Sequence, residues 1–216
     1  MADVRVILVD DHAVVREGYR RLLECASDID VIAEVSSGEE AYRSFCETQP
    51  DVVVMDLSLP GMSGIEATRR IVTREARASI LIFSMHDDAV FGTRALQAGA
   101  RGYITKASAP DVLVEATNAV ARGRIYISHD MAQVLAMRAV PGREPPLDAL
   151  SPREFEVFRL LVAGKPLSEI ATILSVGLKT VMGYQSNILK KLEADTAAQI
   201  VWVALKTGLF DSGNRK

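Results

Sequence analysis

Cysteine is nearly missing from this chain: its 216 residues include two, Cys25 and Cys46. They form no Cys-x-x-Cys and no Cys/His spacing, which excludes a disulfide-stapled fold and a thiolate metal centre. Two reduced thiols in a cytoplasmic protein are expected. Long apolar runs are missing as well. None reaches the ~18 residues needed to cross a bilayer, and the opening MADVRVILVDD lacks the basic segment and apolar core of a secretory signal. No membrane association is expected. A surplus of positive charge is also absent, since 25 Lys/Arg against 28 Asp/Glu leave a net charge of −3. That excludes a uniformly basic nucleic-acid coat but permits a local basic patch.

The chain does have the apolar content of a folded globular protein, at 49 %. Its length suits two modest domains. Charge supports a division: from Asp148 onward nine Lys/Arg face seven Asp/Glu, whereas the preceding residues carry sixteen against twenty-one. An acidic front and a slightly basic tail point to modules with different partners.

Through the first 120 residues, short apolar runs alternate with helical patterns. Val4–Val9, Val31–Val35, Val52–Met55, Ile80–Phe83 and Gly102–Ile104 are each followed by a helix-period segment. Five such units predict a doubly wound α/β domain, a five-stranded parallel sheet with helices on both faces. The uninterrupted apolar runs fit strands buried on both sides. Ser128–Arg138 reads as one more helix. Pro141–Pro146 (PGREPP) breaks structure and is the best linker candidate. The tail reads as all helix. Ser151-Pro-Arg-Glu154 is a capping box with proline at the first helical position. A short helix over Leu167–Leu174, a turn at Ser175–Gly177 and a longer helix over Leu178–Leu192 outline a helix-turn-helix. Thr196–Thr207 reads as a fourth helix. The predicted domains are 1–123, a linker with one helix at 124–147, and 148–216.

Polar residues cluster at the strand ends. Asp10 and Asp11 follow the first strand, Asp56 the third, Ser84 the fourth and Lys106 the fifth. Open parallel sheets bind ligands at the carboxyl ends of their strands. Carboxylates brought together repel unless a cation joins them, and an all-oxygen site suits Mg²⁺. With Lys106 and a hydroxyl, such a site can stabilise a phosphoryl group in transfer, and Asp is a known covalent acceptor. Taken singly the residues have simpler readings: Asp11 as a helix cap at His12, Asp56 in a turn, Lys106 in solvent. Met62 and Met85 read as packing residues, and His12 and His129 carry no functional reading.

VDDH, MDLSLPGMSGIE, Ser84 after ILIF, and GARGYITK together resemble the receiver domain of two-component response regulators over roughly residues 3–122. The resemblance implies a flavodoxin-like sheet of order 2-1-3-4-5. It makes Asp56 the phosphoacceptor, with Asp10, Asp11, Asp56 and the Ser58 backbone carbonyl around Mg²⁺. Lys106 then pairs with the phosphoryl group, Ser84 is the switch hydroxyl, and Tyr103 is the aromatic switch that follows Ser84 inward. A sensor histidine kinase is the implied donor. One departure is visible: many receivers have Lys-Pro with a cis bond here, whereas Lys106 precedes Ala107. Ser58 and His86 stand where receivers vary, and His86 is a candidate for ordering or excluding the water that attacks the acyl phosphate.

LSPRE, EIA, KTV and KKL in the tail resemble the LuxR-type helix-turn-helix, and the combination marks the NarL/FixJ subfamily. Lys165, Lys179, Lys190 and Lys191 meet one acid, Glu169, between residues 165 and 192, a local excess of three positive charges able to neutralise phosphates. The resemblance puts Lys179–Leu192 in the major groove of promoter DNA, with Lys179, Thr180, Met182, Gly183, Gln185, Ser186 and Lys190 as contact residues. Tyr184 stands where many relatives have His, and its hydroxyl reaches a phosphate or its ring packs on the core. The last helix, with Val201, Trp202, Leu205, Leu209 and Phe210, is read as part core and part homodimer surface. The expectation is a phosphorylation-controlled transcription factor and not an enzyme, with a phosphorylation-independent regulator of the same fold as alternative. A haloacid-dehalogenase-type phosphatase needs a second Asp where Ser58 stands, and a small-molecule-sensing LuxR regulator would not carry the acidic set.

Overall fold

The computed structural model describes residues 3–108, 110–138 and 146–206. The chain forms two compact units, Met1–Ala139 and Val140–Lys216. In the first, strands and helices alternate: β1 Val4–Val9, α1 Ala13–Glu24, β2 Ile29–Val35, α2 Gly38–Thr48, β3 Val52–Met55, α3 Gly64–Arg74, β4 Ile80–Ser84, α4 Ala89–Gln97, β5 Gly102–Thr105, α5 Pro110–Ala121, β6 Tyr126–Ile127 and α6 His129–Arg138. All strands pair in parallel in the order β2-β1-β3-β4-β5-β6. Every residue of β3, β4 and β5 is buried, which is why these strands read as continuous apolar runs. On one face Val6, Leu8, Val54, Leu81 and Ile104 pack with Leu23 of α1 and Leu113, Ala116 and Val120 of α5. Side chains alternate across a strand, so Ile7, Val53 and Ile82 are buried on the other face. Helix starts follow local chemistry: the side chains of Ser37, Ser63 and Asp88 accept backbone N–H bonds at the first turns of α2, α3 and α4.

The sheet has six strands where five are expected from the sequence. Tyr126–Ile127 joins the β5 edge, with the Tyr126 N–H donating to the Arg101 carbonyl at 3.0 Å and the Ser128 N–H to the Tyr103 carbonyl at 3.1 Å. Two half-buried residues leave no periodicity to read. Helix α6 then packs on α4, with Met131 buried. A Cβ at Gly92 of α4 would lie 2.8 Å from the Met131 sulfur, so a side chain there would have to displace the flexible ends of Met131 and Leu135. Residues 126–138, expected within the connecting segment, therefore belong to the first unit. Of the expected linker Pro141–Pro146, residues 141–145 lie outside the described residues.

The second unit opens with a 3-10 turn at Pro146–Ala149, followed by α7 Pro152–Val162, α8 Leu167–Ile173, α9 Leu178–Lys191 and α10 Ala197–Lys206. The capping box at Ser151 forms as expected, with the hydroxyl accepting from the Glu154 N–H and the Glu154 carboxylate from the Ser151 N–H at 2.7 Å. Phe155, Phe158, Ile170, Val181, Ile188, Ile200 and Ala204 are buried and form its core. Ser175, at φ +52°, turns the chain between α8 and α9. In α10, Ile200 and Ala204 are core residues, while Val201 and Trp202 are exposed. The Leu205 side chain, Leu209 and Phe210 lie outside the described residues.

Candidate phosphoryl site and nucleic-acid interface

The strand order places β1 beside β3, with β2 on one side and β4 on the other. Their carboxyl ends flank the crevice where the winding reverses, the general ligand position of such sheets. Asp10 and Asp56 leave β1 and β3 there, 1 % and 4 % exposed. From the end of β5, Lys106 places its ammonium 2.6 Å from Asp10 Oδ2 and 2.7 Å from Asp56 Oδ2. Burial works against the lysine charge, but Asp56 and Asp10 outweigh it and hold its pKa above the ordinary value. Asp56 Oδ1 accepts the Leu57 N–H at 2.6 Å and the Ser58 N–H at 3.4 Å. Behind it, the N-terminus of α3 lies against the loop backbone so closely that a Cβ on Gly64 would overlap the Asp56 carbonyl oxygen. Nothing in the sequence marks that requirement, because a packing glycine resembles any other glycine in a loop.

Asp11 does not cap α1. The His12 N–H is held by Asp10 Oδ1 at 2.8 Å, and α1 has no side-chain cap bond. Asp11 stays partly exposed, its carboxylate 2.7 Å from His12 Nδ1. Three carboxylates against one ammonium leave the pocket negative. Its carboxylates offer hard oxygens, and one oxygen each of Asp10 and Asp11 and a ring nitrogen of exposed His12 lie within 4.8 Å of one another. The donor set fits a hard divalent cation such as Mg²⁺.

Ser84 and Tyr103 are both fully buried. The Tyr103 hydroxyl donates to the His86 carbonyl at 2.8 Å, and burial pushes its pKa well above the ordinary value. The ring lies inside, with its hydroxyl anchored on the loop after β4. Ser84 Oγ accepts from the His86 N–H at 3.3 Å, Ser58 Oγ meets His86 Nε2 at 2.9 Å, and the imidazole stacks on Phe91 with centroids 3.9 Å apart. His86 therefore joins the loops after β3 and β4. Met85, expected to pack, is 73 % exposed. The Lys106–Ala107 bond is trans, as expected without proline.

In the second unit, Val181 and Ile188 bury one side of α9 and leave Lys179, Met182, Gly183, Ser186 and Lys190 exposed along another. Thr180 is exposed, and Tyr184 and Gln185 are half-buried. Gly177 precedes α9 without a side-chain cap bond, so first-turn N–H groups remain available to an anion. The basic patch is smaller than its sequence count. Lys165 pairs with Glu169 at 2.6 Å, as expected, but Lys191 pairs at 2.6 Å with buried Glu154 from α7. Glu154 lies 37 positions before Lys191 in the chain, and only the fold brings the two together. The excess is therefore two, Lys179 and Lys190, neither in an ion pair among the described residues.

Residues 6–118 match the family described as response regulator receiver domain, and residues 148–204 the family described as bacterial regulatory proteins, luxR family. The response regulator UvrY of Escherichia coli is 37 % identical over 97 % of both chains. A crystal structure of a LuxR-family two-component response regulator from an Aurantimonas species is 51 % identical, covering 64 % of this chain and 99 % of its own, at a TM-score of 0.63. The response regulator RcsB of Salmonella typhimurium aligns over 96 % of this chain and 99 % of its own, at 25 % identity and a TM-score of 0.68, and RcsB has also been solved with DNA. No described helix is long and apolar enough to cross a membrane. A receiver sheet followed by a four-helix unit of this type, matched along nearly the whole length, identifies the chain as a two-component response regulator of the NarL/FixJ type with a LuxR-type DNA-binding domain.

Proposed function

We propose that Asp56 accepts a phosphoryl group from a cytoplasmic sensor histidine kinase, and that the acyl phosphate controls binding of α9 to promoter DNA. The observation that carries the reading is the Lys106 ammonium between Asp10 and Asp56 at 2.6 and 2.7 Å. In the transfer, an Asp56 oxygen forms the new P–O bond as the P–N bond of a phosphohistidine breaks, and the departing imidazole takes up a proton. Lys106 is placed to follow the phosphoryl oxygens. The Leu57 and Ser58 N–H groups orient the Asp56 carboxylate, and Ser84 offers a hydroxyl. Asp10, Asp11, Asp56 and the Ser58 carbonyl would hold Mg²⁺, which supplies charge neutralisation to the equatorial oxygens when bound. Phosphorylation engages the Ser84 hydroxyl, favours the inward placement of Tyr103 and so shifts a population of arrangements of the β4–α4 region.

On DNA, Lys179, Lys190 and Gln185 contact phosphates and Met182, Gly183, Ser186 and Thr180 face base edges. Exposed Val201 and Trp202 on α10 supply part of a homodimer surface, fitting two half-sites. Incubation with acetyl phosphate and Mg²⁺ tests the acceptor by intact-mass spectrometry. One phosphoryl adduct is expected, and none in Asp56→Asn. An adduct that survives this substitution removes Asp56 from the role.

A further inference from the structure

Helix α9 carries a glycine that nothing inside the protein explains. Gly183 lies in the sixth position of a fourteen-residue helix, where glycine is disfavoured by its backbone freedom. At Gly64 the fold excludes a side chain, because a Cβ would meet the Asp56 backbone. At Gly183 a Cβ would meet nothing within 4 Å. Gly18 inside α1 is equally open, but Gly183 stands on the exposed face of α9 between Lys179 and Lys190, where its bare backbone is accessible to a ligand seated between the two cations. Beside it Met182 is 54 % exposed, although large apolar side chains normally seek the interior. The same face ends in Lys179 and Lys190, about 16 Å apart along the helix at 1.5 Å per residue. The order along the face is cation, apolar side chain, bare backbone, hydroxyl, cation.

Read against a major groove, this pattern has one apolar counterpart. Base edges there offer donors and acceptors, and the thymine 5-methyl is the single hydrocarbon group among them. A thioether has little to offer the polar edges of G·C pairs, but is suited to a methyl group. We propose that Met182 and the open backbone at Gly183 read thymine methyl groups in each half-site, with Lys179 and Lys190 fixing the helix on flanking phosphates. This rests on the DNA-binding reading above and names the base feature that the binding selects.

The test begins with the full-length protein, after acetyl phosphate treatment, and a random duplex library from which tight binders are enriched. Each thymine of an enriched duplex is then replaced singly by deoxyuridine, which removes only the 5-methyl. Loss of one buried methyl group is expected to weaken binding about threefold to tenfold at one or two positions per half-site and to leave the others unchanged. In Met182→Ala the thymine–deoxyuridine difference at those positions is expected to vanish, with Trp202 fluorescence reporting an intact fold. If every thymine tolerates the replacement while binding remains sequence-selective, the proposal falls and the DNA-binding reading stands. A sensitivity that persists in Met182→Ala places the methyl contact elsewhere and also overturns it. If no duplex is enriched and none is bound even at low salt, the DNA-binding reading itself fails.

Discussion

Lys106 and Lys179 carry the same charge in opposite surroundings. Lys106 is 6 % exposed and held between two buried carboxylates. Lys179 stands exposed at the start of α9 with no ion pair among the described residues. The first is a fixed component of a low-dielectric pocket, where removing one partner leaves uncompensated charge. The second is solvated and becomes energetically important only when a polyanion arrives. The first unit thus stores its chemistry internally, and the second leaves its chemistry unsatisfied on the surface. Each substitution below asks whether that division holds.

The largest effect is expected from Lys106→Met. It leaves Asp10 and Asp56 buried without their shared cation, at a cost of about 3 kcal/mol, measured as loss of hydrogen-exchange protection in β1 and β3. Millimolar Mg²⁺ should recover part of the loss, because a cation can replace the ammonium among the same oxygens. Lys179→Met should leave stability within about 0.5 kcal/mol while lowering the salt slope of DNA binding by about one. Gly64→Ala comes next. Its Cβ must displace the Asp56 carbonyl, so a loss of about 1–3 kcal/mol should accompany slower phosphoryl acceptance. Normal acceptance with normal stability would show that the α3 approach does not position Asp56.

The second unit has an ion pair with a buried carboxylate, Lys191–Glu154, which sharpens the comparison. Burial pushes Glu154 up, but the Lys191 ammonium and the Ser151 N–H and hydroxyl together hold its pKa below the ordinary 4.5. A depressed folded pKa means that the pair stabilises the native state above about pH 4.5 and that this contribution is lost as pH falls below that value. Glu154→Gln should cost about 1–2 kcal/mol at pH 7, read from urea unfolding followed by Trp202, the sole tryptophan. The gap between the two proteins should narrow as pH falls through 4.5. A gap independent of pH would assign the cost to the capping hydrogen bonds and not to charge.

The buried site was largely legible because several strand ends deliver one polar residue each to a common edge. Asp10, Asp56, Ser84 and Lys106 meet or adjoin one another as their positions after apolar runs imply. What escaped was contact between elements distant in sequence. Glu154 reaches Lys191 across 37 positions, so a charge count over one window could not include it. Strand β6 escaped because two half-buried residues show no period; helix α6 was legible from its own periodicity, but its seat on α4 was not, because that contact joins elements distant in sequence. The Ser58–His86 bond links loops 28 residues apart. It makes a modest further expectation concrete: His86→Ala should alter the acyl-phosphate lifetime, measured by loss of the adduct over time, and an unchanged lifetime would remove His86 from control of the attacking water.

The smallest expected effect discriminates best, because two explanations give it opposite signs. Gly183 has open space where a Cβ would stand, so Gly183→Ala should stabilise α9 by about 1 kcal/mol. If the glycine were a structural accident, a firmer recognition helix would bind DNA as well as before or better. If it keeps the backbone open to a base edge, the same substitution should raise stability and lower affinity for an enriched duplex, leaving non-specific binding at low salt nearly unchanged. Urea unfolding followed by Trp202 and titration of the two kinds of duplex separate the cases. A protein that becomes more stable and binds its selected site no worse would show that the exposed face of α9 is solvated surface and no more.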